Sequence, residues 1–124
     1  MQVKIGDTTY TIRIGLAALN YLDKIYTLNI EGMEFGFSLN KIYVDIKLQN
    51  IMAIVNFIKA GTITEAQKPS NVDIENFIGK MDLKGQQDFF KEMEEELGKS
   101  PVTKVRWGQI DKNVKKKEKE VKSE

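Results

Sequence analysis

Residues 51–61 read IMAIVNFIKAG, the most apolar stretch of the chain. Their apolar side chains recur at helical spacing, which predicts a helix at the centre of the hydrophobic core that ends at Gly61. A second stripe at the same spacing occupies residues 39–46. Because a polar pair at residues 49–50 separates the two stripes, we expect either two helices or one bent helix here.

The N-terminal residues follow a different period. Between residues 3 and 14, apolar side chains alternate with polar ones on either side of Gly6 and Asp7. Alternation with a period of two around a Gly-Asp turn predicts a β-hairpin. Residues 16–26 return to helical spacing, and the glycine-containing residues 29–37 are expected to form a loop between two helices.

The C-terminal half predicts two further helices. Ser70 and Asp73 resemble a capping box ahead of an apolar stripe at residues 74–81. A last stripe at residues 89–97 is expected to stop at Gly98. The expected fold class is therefore α+β but mainly α, with an N-terminal β-hairpin followed by four to five helices and a disordered C-terminal tail.

Charge divides the chain at the end of the last stripe. Residues 1–98 contain ten Lys and Arg against fourteen Asp and Glu, whereas residues 99–124 contain nine against four. Few apolar residues lie beyond residue 111, so that segment cannot bury enough surface to offset its ordering entropy. We therefore expect a folded domain of hairpin and helices at 1–98 and a flexible charged tail at 99–124.

The composition excludes most catalytic chemistry. The 124 residues include no Cys and no His, which rules out thiol nucleophiles, histidine bases, disulfides and zinc sites built on those side chains. The acidic run at residues 92–96 is typical of a solvated helix face beside an apolar stripe. We expect no enzyme activity, no catalytic residues, no cofactor and no metal site.

The hydropathy pattern bears on the compartment. No apolar stretch reaches the roughly 18–20 residues of a membrane span, and the N-terminal residues lack the basic and apolar regions of a signal peptide. We expect a soluble protein of the cytoplasm with no membrane partner.

Aromatic side chains supply the candidate partner-binding residues. A groove that accepts a partner helix could use five of them, and these are Tyr21, Tyr26, Phe35, Phe37 and Tyr43. Aromatic residues at helical spacing are more often packed in the core, so burial is the alternative for each. Trp107 lies in a polar segment, where a single Trp can anchor a partner.

The tail contains a basic run at Lys115, Lys116 and Lys117. Basic runs of this kind occur in proteins that bind nucleic acid, so nucleic-acid binding is one alternative function for the tail. Glu118 and Glu120 follow directly and weaken the positive field, which argues against a nucleic-acid partner. A solvated tail, or a tail that orders when it binds a protein, is the preferred interpretation.

Five segments occur in a characteristic order. They are VKIGDTTYTIRIG (3–15), LNYLDKIY (19–26), GMEFGFSL (32–39), KPS (68–70) ahead of an acidic helix, and ELGKSP (96–101). Together they resemble one family of tail assembly chaperones from long-tailed, siphovirus-type phages and prophages of Gram-positive bacteria. The resemblance covers residues 1–105, and it rests on the order of the segments, since each alone is a loop or cap signature.

The resemblance implies a concrete role in virion assembly. Proteins of this kind bind the tape measure protein, a long and largely helical chain, keep it soluble and recruit subunits of the major tail protein. They act in the cytoplasm of the bacterial host and are absent from the mature virion. Many also have a longer form made by programmed ribosomal frameshifting, for which the codons of Lys115, Lys116 and Lys117 are the candidate site.

Two other functions stay open at this point. The basic tail favours a small nucleic-acid-binding regulator, and the small size and lack of chemistry are also typical of an inhibitor-type protein-binding domain. In any of these roles, the N-terminal hairpin has edges through which the chain could associate with itself.

Overall fold

The structure, a computed structural model, describes residues 1–122, with side chains throughout except at positions 28–30, 33–36 and 122. Within that range the chain forms two β-hairpins and six helices. The strands are β1 (Gln2–Ile5), β2 (Thr8–Thr11), β3 (Thr27–Ile30) and β4 (Met33–Gly36), and the helices are α1 (Leu16–Ile25), α2 (Ser38–Lys47), α3 (Ile51–Gly61), α4 (Asn71–Gly79), α5 (Leu83–Lys99) and α6 (Lys104–Lys122). The fold class predicted from the sequence, α+β but mainly α, is confirmed.

The N-terminal hairpin forms as its alternation predicts. β1 and β2 pair antiparallel, with Val3 opposite Tyr10 and Ile5 opposite Thr8. Gly6 in the turn has a φ of +63°, a left-handed conformation that glycine adopts without a Cβ clash. Val3, Ile5 and Tyr10 are buried, so one face of the hairpin covers the helices.

The apolar stretch at residues 51–61 forms α3, the centre of the core. Five of its side chains are fully buried at 0% exposure, namely Ala53, Ile54, Phe57, Ile58 and Ala60. The Asn50 side chain accepts a hydrogen bond from the Met52 N–H at 3.0 Å and caps the helix. Gln49 has a φ of +54°, so α2 and α3 are two helices rather than one bent helix.

Gly61, the last residue of α3, lies against the end of the hairpin. The Arg13 N–H donates to the Gly61 carbonyl at 2.9 Å. A Cβ at position 61 would overlap the Ile12 side chain and lie 3.3 Å from the Ile12 Cα. The glycine is therefore needed for close packing as well as for the end of the helix.

A second hairpin spans residues 27–36, where the sequence predicts a loop at 29–37. β3 and β4 pair antiparallel, with Ile30 opposite Met33. Glu31 and Gly32 between them have φ values of +52° and +82°, the backbone of a turn whose twist matches paired strands. The expected loop is wrong because Glu31 is not one of the residues that normally signal such a turn.

Side-chain caps begin α4 and α5. The Ser70 hydroxyl accepts from the Asp73 N–H at 3.1 Å, and the Asp73 carboxylate accepts from the Ser70 N–H at 3.0 Å, which confirms the predicted capping box. The bond from the Ser70 N–H, followed by the nearby Ser70 hydroxyl, holds the pKa of the Asp73 carboxylate below its usual value. Asp82 caps α5 by accepting a hydrogen bond from the Gly85 N–H at 2.7 Å.

The predicted stripe on α5 is buried at Phe89, Phe90, Met93 and Leu97. Helix α5 ends one residue beyond the stop expected at Gly98.

The charged C-terminal segment is helical over Lys104–Lys122, where the sequence predicts a flexible tail. Trp107 and Ile110 are only 6% and 7% exposed, and α6 contacts both α2 and α5. The ring of Tyr43 on α2 lies 5.1 Å from the Trp107 ring, between centroids, and its hydroxyl donates to Asp111 at 2.8 Å. Trp107 and Ile110 are buried although α6 has few apolar residues, because α2 and α5 supply most of the apolar surface around them.

The division into domains 1–98 and 99–124 stays a prediction. The structure shows how the second segment is attached to the first. Trp107 and Ile110 are buried, and the Thr103 hydroxyl donates to the Leu97 carbonyl at 2.7 Å.

Replacing Gly61 with Ala should lower the free energy of unfolding by about 1–3 kcal/mol, because the new Cβ forces the hairpin away from α3. Gly79→Ala is the matched control, since a Cβ at the end of α4 would meet nothing within 4 Å. That change should be neutral or stabilising by up to about 1 kcal/mol. Urea denaturation followed by circular dichroism measures both, and equal stability of the two variants would contradict the close contact of Gly61 with Ile12.

Replacing Ile110 with Ala should weaken the attachment of α6 and lower stability by about 2–4 kcal/mol, because it removes buried contacts. The chain has one Trp, so the emission of Trp107 reports whether α6 is docked, and it should shift to the red at lower urea in this variant. Val105→Ala on the same helix is the control, since Val105 is 68% exposed and its loss should change stability by no more than about 0.5 kcal/mol. Solvent-exposed emission from the unmodified chain in buffer would count against a docked α6.

Candidate partner-binding surfaces

The described part of the chain contains no group of acidic side chains arranged to hold a metal ion. In the acidic run of α5, Glu94 pairs with Lys47 at 3.1 Å and Glu96 pairs with Lys99 at 2.9 Å. These carboxylates lie in ion pairs near the surface, which contribute little to stability. No helix within residues 1–122 combines the length and hydropathy needed to cross a membrane.

Tyr43 and Trp107, two of the predicted partner-binding residues, lie in the contact between α2 and α6. Tyr43 is 4% exposed, and the Lys47 ammonium lies 5.3 Å from the centre of its ring. Burial, followed by the hydrogen bond to Asp111, raises the pKa of the Tyr43 hydroxyl. The bond from Lys115, followed by that from Tyr43, lowers the pKa of Asp111. Both aromatic residues therefore join two parts of the same chain.

The other aromatic candidates lie around the end of α1 and the second hairpin. Tyr21 and Tyr26 are half-buried. The Tyr26 hydroxyl accepts from the Asn56 amide at 2.7 Å, and its pKa is raised mainly by burial. Phe37 is 45% exposed, and its N–H donates to the Tyr26 carbonyl at 2.9 Å. The side chain of Phe35 falls outside the described residues, so Phe37 is the most accessible of the described candidates.

The three lysines of the basic run differ in their surroundings. The Lys115 ammonium lies 3.0 Å from the Asp111 carboxylate. Lys116 and Lys117 are exposed on α6. The run is therefore part of a helix surface in which one of the three charges is already paired.

Leu16 and Met52 are exposed apolar residues that the sequence assigns to buried stripes. Leu16 is 74% exposed and Met52 is 53% exposed. The exposure of Met52 could have been predicted, because α3 has more apolar residues than one face of a short helix can bury. The exposure of Leu16 could not have been predicted, because a leucine at the start of α1 has the same spacing as a core residue.

Met52 borders a shallow groove between α3 and α4. We call it the α3–α4 groove, defined by Ile51, Met52, Val55, Ile74 and Ile78, with Lys59 and Glu75 at its rim. Its volume is about 310 Å³. Ile74 is 1% exposed and anchors α4, while the Met52 side chain extends into solvent.

Leu16 borders a larger groove between the start of α1 and the turn that joins α5 to α6. We call it the Leu16 groove, defined by Ile12, Arg13, Leu16, Glu96, Lys99 and Val102. Its volume is about 910 Å³. The Ser100 hydroxyl donates to the Ile14 carbonyl and so connects the two walls.

Comparison with known proteins identifies the family. Residues 2–112 match a protein-family model described as phage tail assembly chaperone protein, TAC. No curated protein and no solved structure matches the chain. The family match includes both grooves and the buried part of α6, and it confirms the resemblance seen in the sequence. This chain belongs to the phage tail assembly chaperone family.

Proposed function

We propose that this chain binds the tape measure protein during phage tail assembly, keeps it soluble and recruits subunits of the major tail protein. Membership of the family supports a role in tail assembly. The observation that favours tape measure binding is the α3–α4 groove, an apolar surface open to solvent on the folded body of the chain.

The chemistry of the α3–α4 groove suits a helical partner of low sequence specificity. An amphipathic helix can place its apolar face in such a groove. Met52 has a flexible, polarisable side chain that adapts to differently shaped neighbours. Lys59 and Glu75 place one charge of each sign at the rim, so the groove has no strong preference for charge. A chaperone that covers a long helical chain at many points needs this tolerance.

The proposed activity is binding, without a chemical step. The chaperone would cover apolar surface of the tape measure in the host cytoplasm until tail-tube subunits replace it. The chaperone would then be released before the virion is complete.

Two further elements of the proposal concern the ends of the chain. A frameshift at the codons of Lys115, Lys116 and Lys117 would make a longer form, and the nucleotide sequence tests this directly through the presence of a slippery heptamer. Self-association through the N-terminal hairpin also stays a prediction. The Thr11 N–H on the outer edge of β2 donates to Glu65 at 3.1 Å, so strand pairing would have to use the edge of β1.

The nucleic-acid alternative has less support. The pairing of Lys115 with Asp111 and the presence of Glu118 in the next turn reduce the positive charge on α6. Retention on nucleic acid that falls steeply with added salt would favour that alternative. An inhibitor-type domain would instead show one tight, stoichiometric partner.

Replacing Met52 with Glu should reduce the ability of the chain to keep a co-expressed tape measure fragment in solution. A charge at the border of the α3–α4 groove would be desolvated by the docked helix, which should weaken binding about tenfold or more, equivalent to at least about 1.4 kcal/mol. The soluble fraction of the tape measure fragment after centrifugation measures the effect.

Leu83→Glu is the matched control, because Leu83 is 68% exposed and does not line this groove. It should leave tape measure solubility unchanged. If Met52→Glu is folded and protects the tape measure as well as the unmodified chain does, the α3–α4 groove is not the binding surface. If the unmodified chain gives no protection, the proposed function itself fails.

A further inference from the structure

The Leu16 groove is the larger of the two grooves and has no role in the fold or in the proposed tape measure site. Its volume of about 910 Å³ is comparable to that of established ligand clefts. It shares no lining residue with the α3–α4 groove. Its lining comes from four separate parts of the chain, namely Met1, residues 11–18, Thr64 and residues 96–102, so the folded structure alone creates it.

Leu16 gives this groove an exposed apolar side chain that is not part of the core. The buried residues of α1 are Ala18 and Leu22, whereas Leu16 is 74% exposed. Val102 across the groove is half-buried. An exposed leucine beside a concave apolar surface is typical of a protein-binding site.

The charge at the rim is positive, although residues 1–98 have an excess of acidic residues. Glu96 lies 2.9 Å from the Lys99 ammonium and 3.9 Å from the Met1 ammonium, so its charge is already compensated. Arg13 is exposed, and no carboxylate among the described side chains forms an ion pair with it. The groove therefore presents an unpaired guanidinium beside apolar surface.

The backbone at the groove favours a helix over an extended strand as its occupant. A strand would have to add to the edge of β2, where Thr11 lines the groove. The Thr11 N–H is already bonded to the Glu65 carboxylate at 3.1 Å. Side chains, rather than strand hydrogen bonds, must then supply the contacts.

We propose that the Leu16 groove docks an amphipathic helix of a tail protein whose apolar side chains are flanked by carboxylates. Leu16 and Val102 contact the apolar stripe of that helix, and Arg13 pairs with a flanking carboxylate. The helical C-terminal segment of a second copy fits poorly, because the exposed end of α6 carries more lysines than glutamates and Arg13 repels this net positive charge. The identification of the partner as a tail protein rests on the proposed function. The preference of the groove for an apolar helix with flanking carboxylates is independent of that function.

Two designed peptides test the proposal on the full chain. Both form amphipathic helices with the same leucine stripe, and they differ only in flanking residues, glutamate in one and lysine in the other. Binding is measured by fluorescence anisotropy at low salt. The unmodified chain should bind the glutamate peptide at least about tenfold more tightly than the lysine peptide.

Variants locate the site. Arg13→Glu should reverse the preference between the peptides, and Leu16→Ala should weaken both, without loss of fold because both side chains are exposed. Lys4→Glu is the control for charge, since Lys4 is also exposed on the N-terminal hairpin but lies outside the groove. Leu83→Ala is the corresponding control for apolar contact.

Several results would overturn the proposal. They are the absence of binding to the glutamate peptide, equal binding of the two peptides, and an effect of Lys4→Glu as large as that of Arg13→Glu. A dimer in solution that Leu16→Glu abolishes would assign the groove to a second copy instead. If the chain protects the tape measure but binds neither peptide, only the proposal for the Leu16 groove fails. If the chain binds the glutamate peptide but does not protect the tape measure, only the proposed function fails.

Discussion

The contact between Ile12 and Gly61 determines how the two halves of the core meet. Because residue 61 has no side chain, the end of the hairpin packs directly on the backbone of α3, and the Arg13 N–H donates to the Gly61 carbonyl at 2.9 Å. This contact sets the direction in which the chain leaves β2. The start of α1, and with it Leu16 and one wall of the Leu16 groove, follows from that direction.

The attachment of α6 depends on a second contact, between α2 and the C-terminal segment. The Tyr43 ring packs against Trp107 at an angle of 56° and its hydroxyl donates to Asp111, so one side chain provides both apolar area and a polar anchor. An aromatic ring with a hydroxyl at its tip is suited to a boundary that is dry on one side and wet on the other. The lysines of α6 can remain exposed because the buried residues of the helix, Trp107 and Ile110, face the folded body.

Two grooves on one small chain suggest how a tail assembly chaperone could hold more than one partner. The α3–α4 groove is apolar, balanced in charge and bordered by a flexible methionine. The Leu16 groove is larger and has a cationic rim. In our proposals the first accepts many segments of a long helical chain, and the second selects a helix with acidic flanks. Difference in charge, rather than in shape alone, would keep the two kinds of partner apart.

The sequence by itself determined the features that depend on neighbours along the chain. Apolar periodicity predicted α3 and the first hairpin, and Ser70 with Asp73 predicted the start of α4, because period and caps are local properties. The left-handed turn at Glu31 and the docking of α6 were not predicted, since the first uses an unusual residue and the second requires Tyr43, which lies far away in sequence. The packing of Tyr43 against Trp107 was not predicted for the same reason, and a role of either residue in partner binding stays a prediction. Only the tertiary structure decided which apolar side chains stay exposed, because a groove exists only where two separately encoded surfaces meet without filling the space between them.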